Sequence, residues 1–266
     1  MGLRFRILGT SSSGNCALIE SAQTRILLDA GFSGRRLEGL LKEIGKPIES
    51  IDAVFLTHEH SDHTAGLRGL SRHRHLQFFA NYATAQVAQS KLNKDISWKI
   101  FETGTTFAYK DLTIQSMLLP HDAMEPVGFT FRTGGDDLFS PHGSLAWITD
   151  LGHAPPALAD MVRDVQLLVL EANHDAALLE RDTKRPHSVK QRITGRHGHL
   201  SNEAAFRFLS SVEKPRWRRV LLGHLSKDCN HPDCVLEAMG NGHSPWPVEC
   251  LDPEQLIFPE IDLAAL

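Results

Sequence analysis

The chain has 266 residues, 41% of them hydrophobic, and a formal net charge of −4. That much apolar material supports a substantial core within a single large domain. The acidic balance excludes a molecule that is basic all over, so contact with a polyanion requires a local basic patch.

No apolar run approaches the ~20 residues that cross a bilayer. The start, MGLRFRILGTSSSGN, has no signal-peptide apolar region. It also carries Arg6 where a myristoylation signal has Ser or Thr. A cytoplasmic location is expected, with Cys16, Cys229, Cys234 and Cys250 unpaired. Cys229 and Cys234 flank His231, but a single C-x4-C without a second pair reads as small buried side chains rather than a zinc knuckle. The compositional outlier is histidine, with 15 residues.

Runs rich in Val, Ile, Leu and Phe predict strands over 3–8, 16–20 and 25–30. In GRRLEGLLKEIG, Leu37, Leu40, Leu41 and Ile44 share one stripe at helical spacing. A strand over 51–57 leads into the helical AGLRGLSRH, then a strand over 76–80 and the helical ATAQVAQSKL. Strands over 98–102, 112–119 and 127–133 follow with no helix between them. Residues 134–144 read as a surface loop inserted before a strand over 144–149, beside the site developed below. PPALADMVRD, a strand over 165–172, NEAAFRFLSSVE, a strand over 218–223, NHPDCVLEAM and a strand over 247–250 complete the pattern. Asn230 and Pro232 suit the start of the last helix. Strands in runs, with a helix after every few, predict one α/β (α+β) domain over 1–266, two sheets face to face with helices outside.

THEHSDH, residues 57–63, directly follows the run IDAVFL. His58 and His60 are two apart and point the same way in an extended segment. Asp62 and His63 arrive as the chain turns into a helix. Four metal-capable side chains thus fall within six residues, and imidazole with carboxylate suits zinc, manganese or iron.

This H-x-H-x-D-H pattern resembles the metallo-β-lactamase superfamily. The resemblance implies a four-layer αββα sandwich with a two-metal site at one edge. It also implies a further His, a bridging Asp and a last His, each at a strand end. His121 follows the strand at 112–119, with Pro120 before it; Asp150 follows 144–149; His224 follows 218–223. By this resemblance His58, His60 and His121 hold one metal, Asp62, His63 and His224 hold the other, and Asp150 bridges them. Two divalent cations, zinc or manganese, ~3.5–4 Å apart would acidify a shared water, so that a metal-bridging hydroxide attacks, with Asp62 orienting it. The lack of a G-x-S-x-G elbow agrees with a mechanism that needs no side-chain nucleophile.

The tetrapeptide GHLS occurs at 198–201 and again at 223–226. With His224 assigned to metal, His199 is free for another role. It precedes NEAAFRFL, where Ser201 or Asn202 suits an N-cap and Glu203 the first turn. A helix N-terminus is a natural phosphate seat, and a histidine there can donate a proton to a phosphate oxygen. Upstream, RDTKRPHSVKQRITGRH holds six Lys or Arg against one acid, including Arg192 and Arg196, a patch suited to tracking a polyanion.

Taken together, GTSSSGNCALIE, THEHSDHTAG, PHDA, PVGF, ITDLG, LEANHD, GHLSNEAA and LGHLSKDCN resemble the bacterial YycJ (WalJ/VicX) family of metal-dependent nucleases, from Leu8 to about Asp233. The resemblance implies 5′-to-3′ exonuclease action on double-stranded DNA, with DNA favoured over RNA as partner. On that likeness His199 contacts substrate; the helix start adds Ser201 and Asn202 and the basic stretch adds Arg192 and Arg196, with His199 and Asp62 as the catalytic candidates. Ser12, Ser13 and Asn15 either reach the site or form a plain tight turn. Asp29 is a candidate to support a metal ligand. Asn173, His174 and Asp175 either line the cleft or cap their own loop. Two rivals stand beside the nuclease reading. One is a small-molecule hydrolase of the same fold, such as a cyclic phosphodiesterase, lactonase or thioesterase. The other is a non-catalytic regulatory binding protein.

Overall fold

The structure is a computed structural model that describes residues 2–134 and 143–266. Most of the 134–144 loop, and the proposal that it borders the site, therefore lie outside the described residues. Two sheets carry the architecture. The first half of the chain supplies β1 (Arg4–Ser11), β2 (Gly14–Glu20), β3 (Arg25–Leu28), β4 (Ala53–Phe55), β5 (Gln77–Ala80) and β6 (Trp98–Ile100). The second supplies β7 (Thr106–Tyr109), β8 (Leu112–Leu118), β9 (Val127–Thr133), β10 (Gly143–Ile148), β11 (Leu167–Glu171), β12 (Arg219–Gly223) and β13 (Val248–Cys250). A short β14 (Ile261–Asp262) returns to pair with β1, giving sheet orders β14-β1-β2-β3-β4-β5-β6 and β13-β12-β11-β10-β9-β8-β7. β3 to β6 run parallel, and so do β10 to β13.

Side-chain alternation explains the layers, because a strand covered on both faces sends successive residues to opposite cores. β2 directs Ala17 and Ile19 between the sheets and Cys16 and Leu18 outward; β10 directs Leu145 and Trp147 inward and Ala146 and Ile148 outward. The inner layer is aromatic: Phe55 stacks on Phe79 with ring centroids 4.3 Å apart, and Phe129 and Phe131 meet its edge. In chain order the helices are α1 (Gly34–Glu43), α2 (Ser61–Thr64), α3 (Leu67–Leu70), α4 (Tyr82–Ser90), α5 (Pro156–Val162), α6 (Ala176–Arg181), α7 (His187–Thr194), α8 (Asn202–Ser211) and α9 (Pro232–Ala238). α1, α3 and α4 cover the outer face of the first sheet; α5, α8 and α9 cover that of the second. This is the αββα sandwich expected. Among the described residues no helix is long and apolar enough to cross a membrane.

The two-residue β14, together with β7, α6 and α7, escaped the sequence patterns. β7 is an edge strand with Thr106 and Ala108 exposed, so it has little apolar run to read. α6 buries only Leu179, and α7 buries no residue at all, so neither carries an amphipathic stripe.

Candidate metal centre

The centre forms where the strands of both sheets end. β4 runs into Thr57, whose N–H and hydroxyl both donate to the Asp29 carboxylate at 2.8–3.1 Å. Asp29 stands just past β3 and also accepts from His63 Nδ1 at 2.7 Å. That bond places a proton on Nδ1 and turns Nε2 to the centre, while against burial Asp150 and Asp29 push the imidazole above its usual range, so a cation there would displace the Nε2 proton. His121 Nδ1 donates to the Gly198 carbonyl at 2.9 Å, and His224 Nδ1 donates to Glu171 at 2.7 Å. Each of these three rings is held by one nitrogen and presents the other.

Two groups of ligand atoms result, each with its members within 4.8 Å of one another: His58, His60 and His121, and Asp62, His63, Asp150 and His224. Asp150 lies between them. Its Oδ2 is 3.3 Å from His63 Nε2, and its Oδ1 is 3.4 Å from His224 Nε2 and 3.7 Å from His121 Nε2. Asp62 Oδ2 stands 3.4 Å from His63 Nε2 and 3.6 Å from His224 Nε2. His58 Nε2, His224 Nε2 and Asp150 Oδ2 are buried without a hydrogen-bond partner. Orphaned buried polar atoms are costly, and each ligand group contains at least one of them, which suits a cation. The donor set, imidazole with carboxylate, can hold divalent metal.

The electrostatics agree. Burial, with His63 alongside, holds His58 well below the usual imidazole range, which keeps its lone pair free. Burial also works against charge on His224, but Asp150, Asp62 and Glu171 outweigh it and push that imidazole up to about 10. Asp150 is driven well below the usual carboxylate range, against its burial, by His224 and His63. A divalent cation at this point would displace the proton that these carboxylates otherwise hold on His224.

Backbone geometry aims the side chains. Asp29, Asp150 and His224 each follow a strand end with φ of 59°, 64° and 57°. The left-handed region is uncommon for residues with a Cβ, costs roughly 1–3 kcal/mol each, and persists where neighbours over-determine it. For His224 the neighbours are Thr10, whose hydroxyl accepts from His224 N at 3.1 Å, and Asn173, whose amide donates to the His224 carbonyl at 2.9 Å. Gly31 permits the closest approach: a Cβ there would lie 1.8 Å from the Asp62 carbonyl oxygen.

The residue that sequence reasoning missed is Glu171. It ends β11, is fully buried, and accepts at Oε1 from both His199 Nδ1 (2.8 Å) and His224 Nδ1 (2.7 Å). Its Oε2 accepts from the backbone N–H groups of Leu200 (2.9 Å) and Leu151 (3.2 Å). The two GHLS histidines thus share one carboxylate. They differ in exposure, His224 being buried and His199 partly open, with the His199 ring 5.0 Å from that of His121 and 5.4 Å from that of His224. His199 is outside both groups above but forms a further group with Asp150, Glu171 and His224. The one signal for Glu171 was an acid closing the apolar run VQLLVLEA.

The other predicted residues divide. Asn15 reaches the centre, its Nδ2 3.1 Å from His63 Nε2 and 3.4 Å from Asp62, whereas Ser12 and Ser13 are the exposed turn of the β1–β2 hairpin. Arg192 pairs with Asp122, next to His121, and the Arg196 guanidinium lies 3.3 Å from His153 Nε2. Of the two residues proposed at the helix start, Ser201 is partly exposed and Asn202 is turned inward. The Ser201 hydroxyl accepts from Ala204 N, and Asn202 N donates to the His174 carbonyl, so these two N–H groups of the helix start are already used. The Asn202 side chain is fully buried and paired with Asn230. Asn173 joins the two GHLS segments, Asp175 caps α6 by accepting from Leu178 N, and the His174 carbonyl meets α8. The basic stretch is partly neutralised, Lys184 and Arg185 by Asp228 and Arg185 again by Asp182. Cys229 and Cys234 join no metal-capable group among the described residues.

Residues 24–225 match the family described as Beta-lactamase superfamily domain. The chain is 37% identical over 245 residues to Exodeoxyribonuclease WalJ of Streptococcus pneumoniae, covering 91% of this chain and 88% of that protein. It is 33% identical over 251 residues to Exodeoxyribonuclease YycJ of Bacillus anthracis, covering 91% and 92%. Among solved structures, the metallo-β-lactamase fold protein YhfI of Bacillus subtilis superimposes with a TM-score of 0.73 at 18% identity, covering 97% of this chain and all of that one, a likeness of fold.

Proposed function

The chain belongs to the β-lactamase superfamily and, within it, to the WalJ/YycJ exodeoxyribonuclease family, and on that premise we propose that it hydrolyses phosphodiester bonds of DNA as a metal-dependent exonuclease. The reading takes residues 1–266 as one domain and double-stranded DNA, cut 5′ to 3′, as substrate. Four free cysteines accord with a cytoplasmic setting.

The observation that carries the proposal is the set of unpartnered buried atoms, His58 Nε2 in one group of ligands and His224 Nε2 and Asp150 Oδ2 in the other. His58, His60 and His121 would hold one ion, Asp62, His63 and His224 a second, with Asp150 shared. When bound, two zinc or manganese ions supply Lewis acidity to phosphate oxygens and acidify water. The chain's own residues do the rest. Asp29 and Glu171 fix the tautomers of His63 and His224. Asn15 donates toward the Asp62 carboxylate, which would orient an attacking water. His199 is held at Nδ1 by Glu171, which raises its basicity above the ordinary value despite burial. That leaves Nε2 to carry a proton toward a phosphate or leaving oxygen.

The test compares the wild type with His199→Ala on labelled duplex DNA, single-stranded DNA and RNA, with metal analysis of both proteins. The variant is expected to keep its metals and lose cleavage by about 100-fold or more, the usual worth of a general acid. Steep loss of substrate affinity with rising salt separates this reading from a small-ester hydrolase. A wild type loaded with metal that cleaves no nucleic acid refutes it, and a variant that loses metal moves His199 among the ligands.

A further inference from the structure

A groove of about 500 Å³ runs between α5 and α8, on the chain segments that directly follow Asp150 and His199. It begins at Gly152, two residues past Asp150, and at Leu200, the residue after His199. Its floor is apolar, made by Pro155, Leu200, Ala204 and Phe208, and its rim carries His153 and Arg207. No acidic side chain lines it among the described residues. Arg207 is exposed on α8, and none of the ion pairs of the described residues involves it. The His153 imidazole is fixed from across the rim: Nδ1 donates to the Arg196 carbonyl at 2.9 Å, and Nε2 lies 3.3 Å from the Arg196 guanidinium. A larger cavity, about 790 Å³, opens at the opposite end of the second sheet beside Arg132, Gln166 and Arg216, away from the segments that follow Asp150 and His199.

An apolar floor with Arg207 on its rim, and Arg196 one contact away behind His153, matches a nucleotide, which has a flat apolar base and an anionic phosphate. The volume is within the roughly 300–1,000 Å³ of pockets that take small organic groups. We propose that this groove seats the nucleotide adjoining the scissile phosphate, its base on the Leu200–Phe208 floor and its phosphate against Arg207 and Arg196. The assignment rests on the nuclease reading and specifies where the strand lies. It also gives the basic stretch before His199 a defined direction, because Arg196 closes that stretch and borders the groove.

The experiment measures binding of a fluorescent 5′-phosphorylated duplex with nuclease-resistant phosphorothioate linkages, using metal-loaded protein over a salt series, alongside cleavage of the unmodified duplex. Arg207→Ala is expected to weaken binding about tenfold and to reduce the salt slope by about one, the signature of one lost phosphate contact. Arg207→Lys should keep the slope. Ala204→Leu, which fills the floor, should weaken binding with the slope unchanged. Arg216→Ala, at the larger cavity, should behave as wild type, and thermal melts confirm that each variant is folded. Wild-type binding and cleavage by both Arg207→Ala and Ala204→Leu would overturn the assignment, as would an equal loss in Arg216→Ala. Should the wild type cleave no DNA while the two groove variants still lose affinity for the duplex, the nuclease reading fails and the groove remains a nucleotide seat.

Discussion

Replacing Glu171 with Gln perturbs the one group that both GHLS histidines share. The side chain has no exposure to solvent and accepts four hydrogen bonds, from His199, His224, Leu200 and Leu151. Glutamine keeps one oxygen and offers an NH2 in place of the other. Whichever way the amide is turned, two N–H donors then face a donor. Hydrogen bonds to a charged group are worth about 1.5–3 kcal/mol each, so two lost bonds cost roughly 3–6 kcal/mol, a large part of the ~5–15 kcal/mol that keeps a domain folded. The loss also frees the His224 ring to rotate or change tautomer, and removal of such a supporting partner costs about 10–100-fold in metal affinity or activity. Metal content after dialysis, kcat/KM on labelled duplex and the melting temperature should all fall together.

The acid limit of stability follows from the same carboxylate. Burial alone would raise its pKa, but His199 and His224 hold it down at about 2. A depressed folded-state value means stability that is fully present above the unfolded pKa of roughly 4.3 and is lost as pH falls from there toward 2. The Gln variant should lack that segment of the pH–stability curve. An E171Q protein with wild-type metal content, turnover and acid stability would refute the view that this carboxylate organises the centre.

Two further perturbations test the backbone and the ligands. Gly31→Ala places a methyl 1.8 Å from the Asp62 carbonyl and should displace the H-x-H-x-D-H loop, with loss of bound metal; Gly39→Ala, where nothing lies within 4 Å in the middle of α1, should instead stabilise by about 0.5–1 kcal/mol. Denaturation curves and metal analysis of the pair settle this, and equal behaviour contradicts the close-approach argument. Chelation should abolish cleavage reversibly, and restoring metal at 100 times its Kd should raise the melting temperature by roughly 5–10 °C through about 2.7 kcal/mol of linkage. A melting curve indifferent to zinc and manganese would mean that the orphaned atoms of His58, Asp150 and His224 receive no cation.

Much of the architecture was legible because it is encoded locally. Period-two alternation and continuous apolar runs marked most strands, and the stripe of Leu37, Leu40, Leu41 and Ile44 marked α1. His58, His60, Asp62 and His63 could be read as a ligand group because they fall within six residues after one strand. His121, Asp150 and His224 required the further knowledge that strand ends converge, which the family likeness supplied. Tertiary structure alone decided the pairing of buried polar groups. Glu171 meets His199 and His224 at sequence separations of 28 and 53 residues, and no periodicity links them. The same holds for Asn202, a plausible phosphate ligand at a helix start until sheet and helix packing turned its amide onto Asn230. A hydrophobic residue needs only some apolar surface to cover it, so its pattern survives in the sequence. A buried hydrogen bond needs one particular partner at one distance, and only the register of the strands and the packing of the layers bring that partner into place.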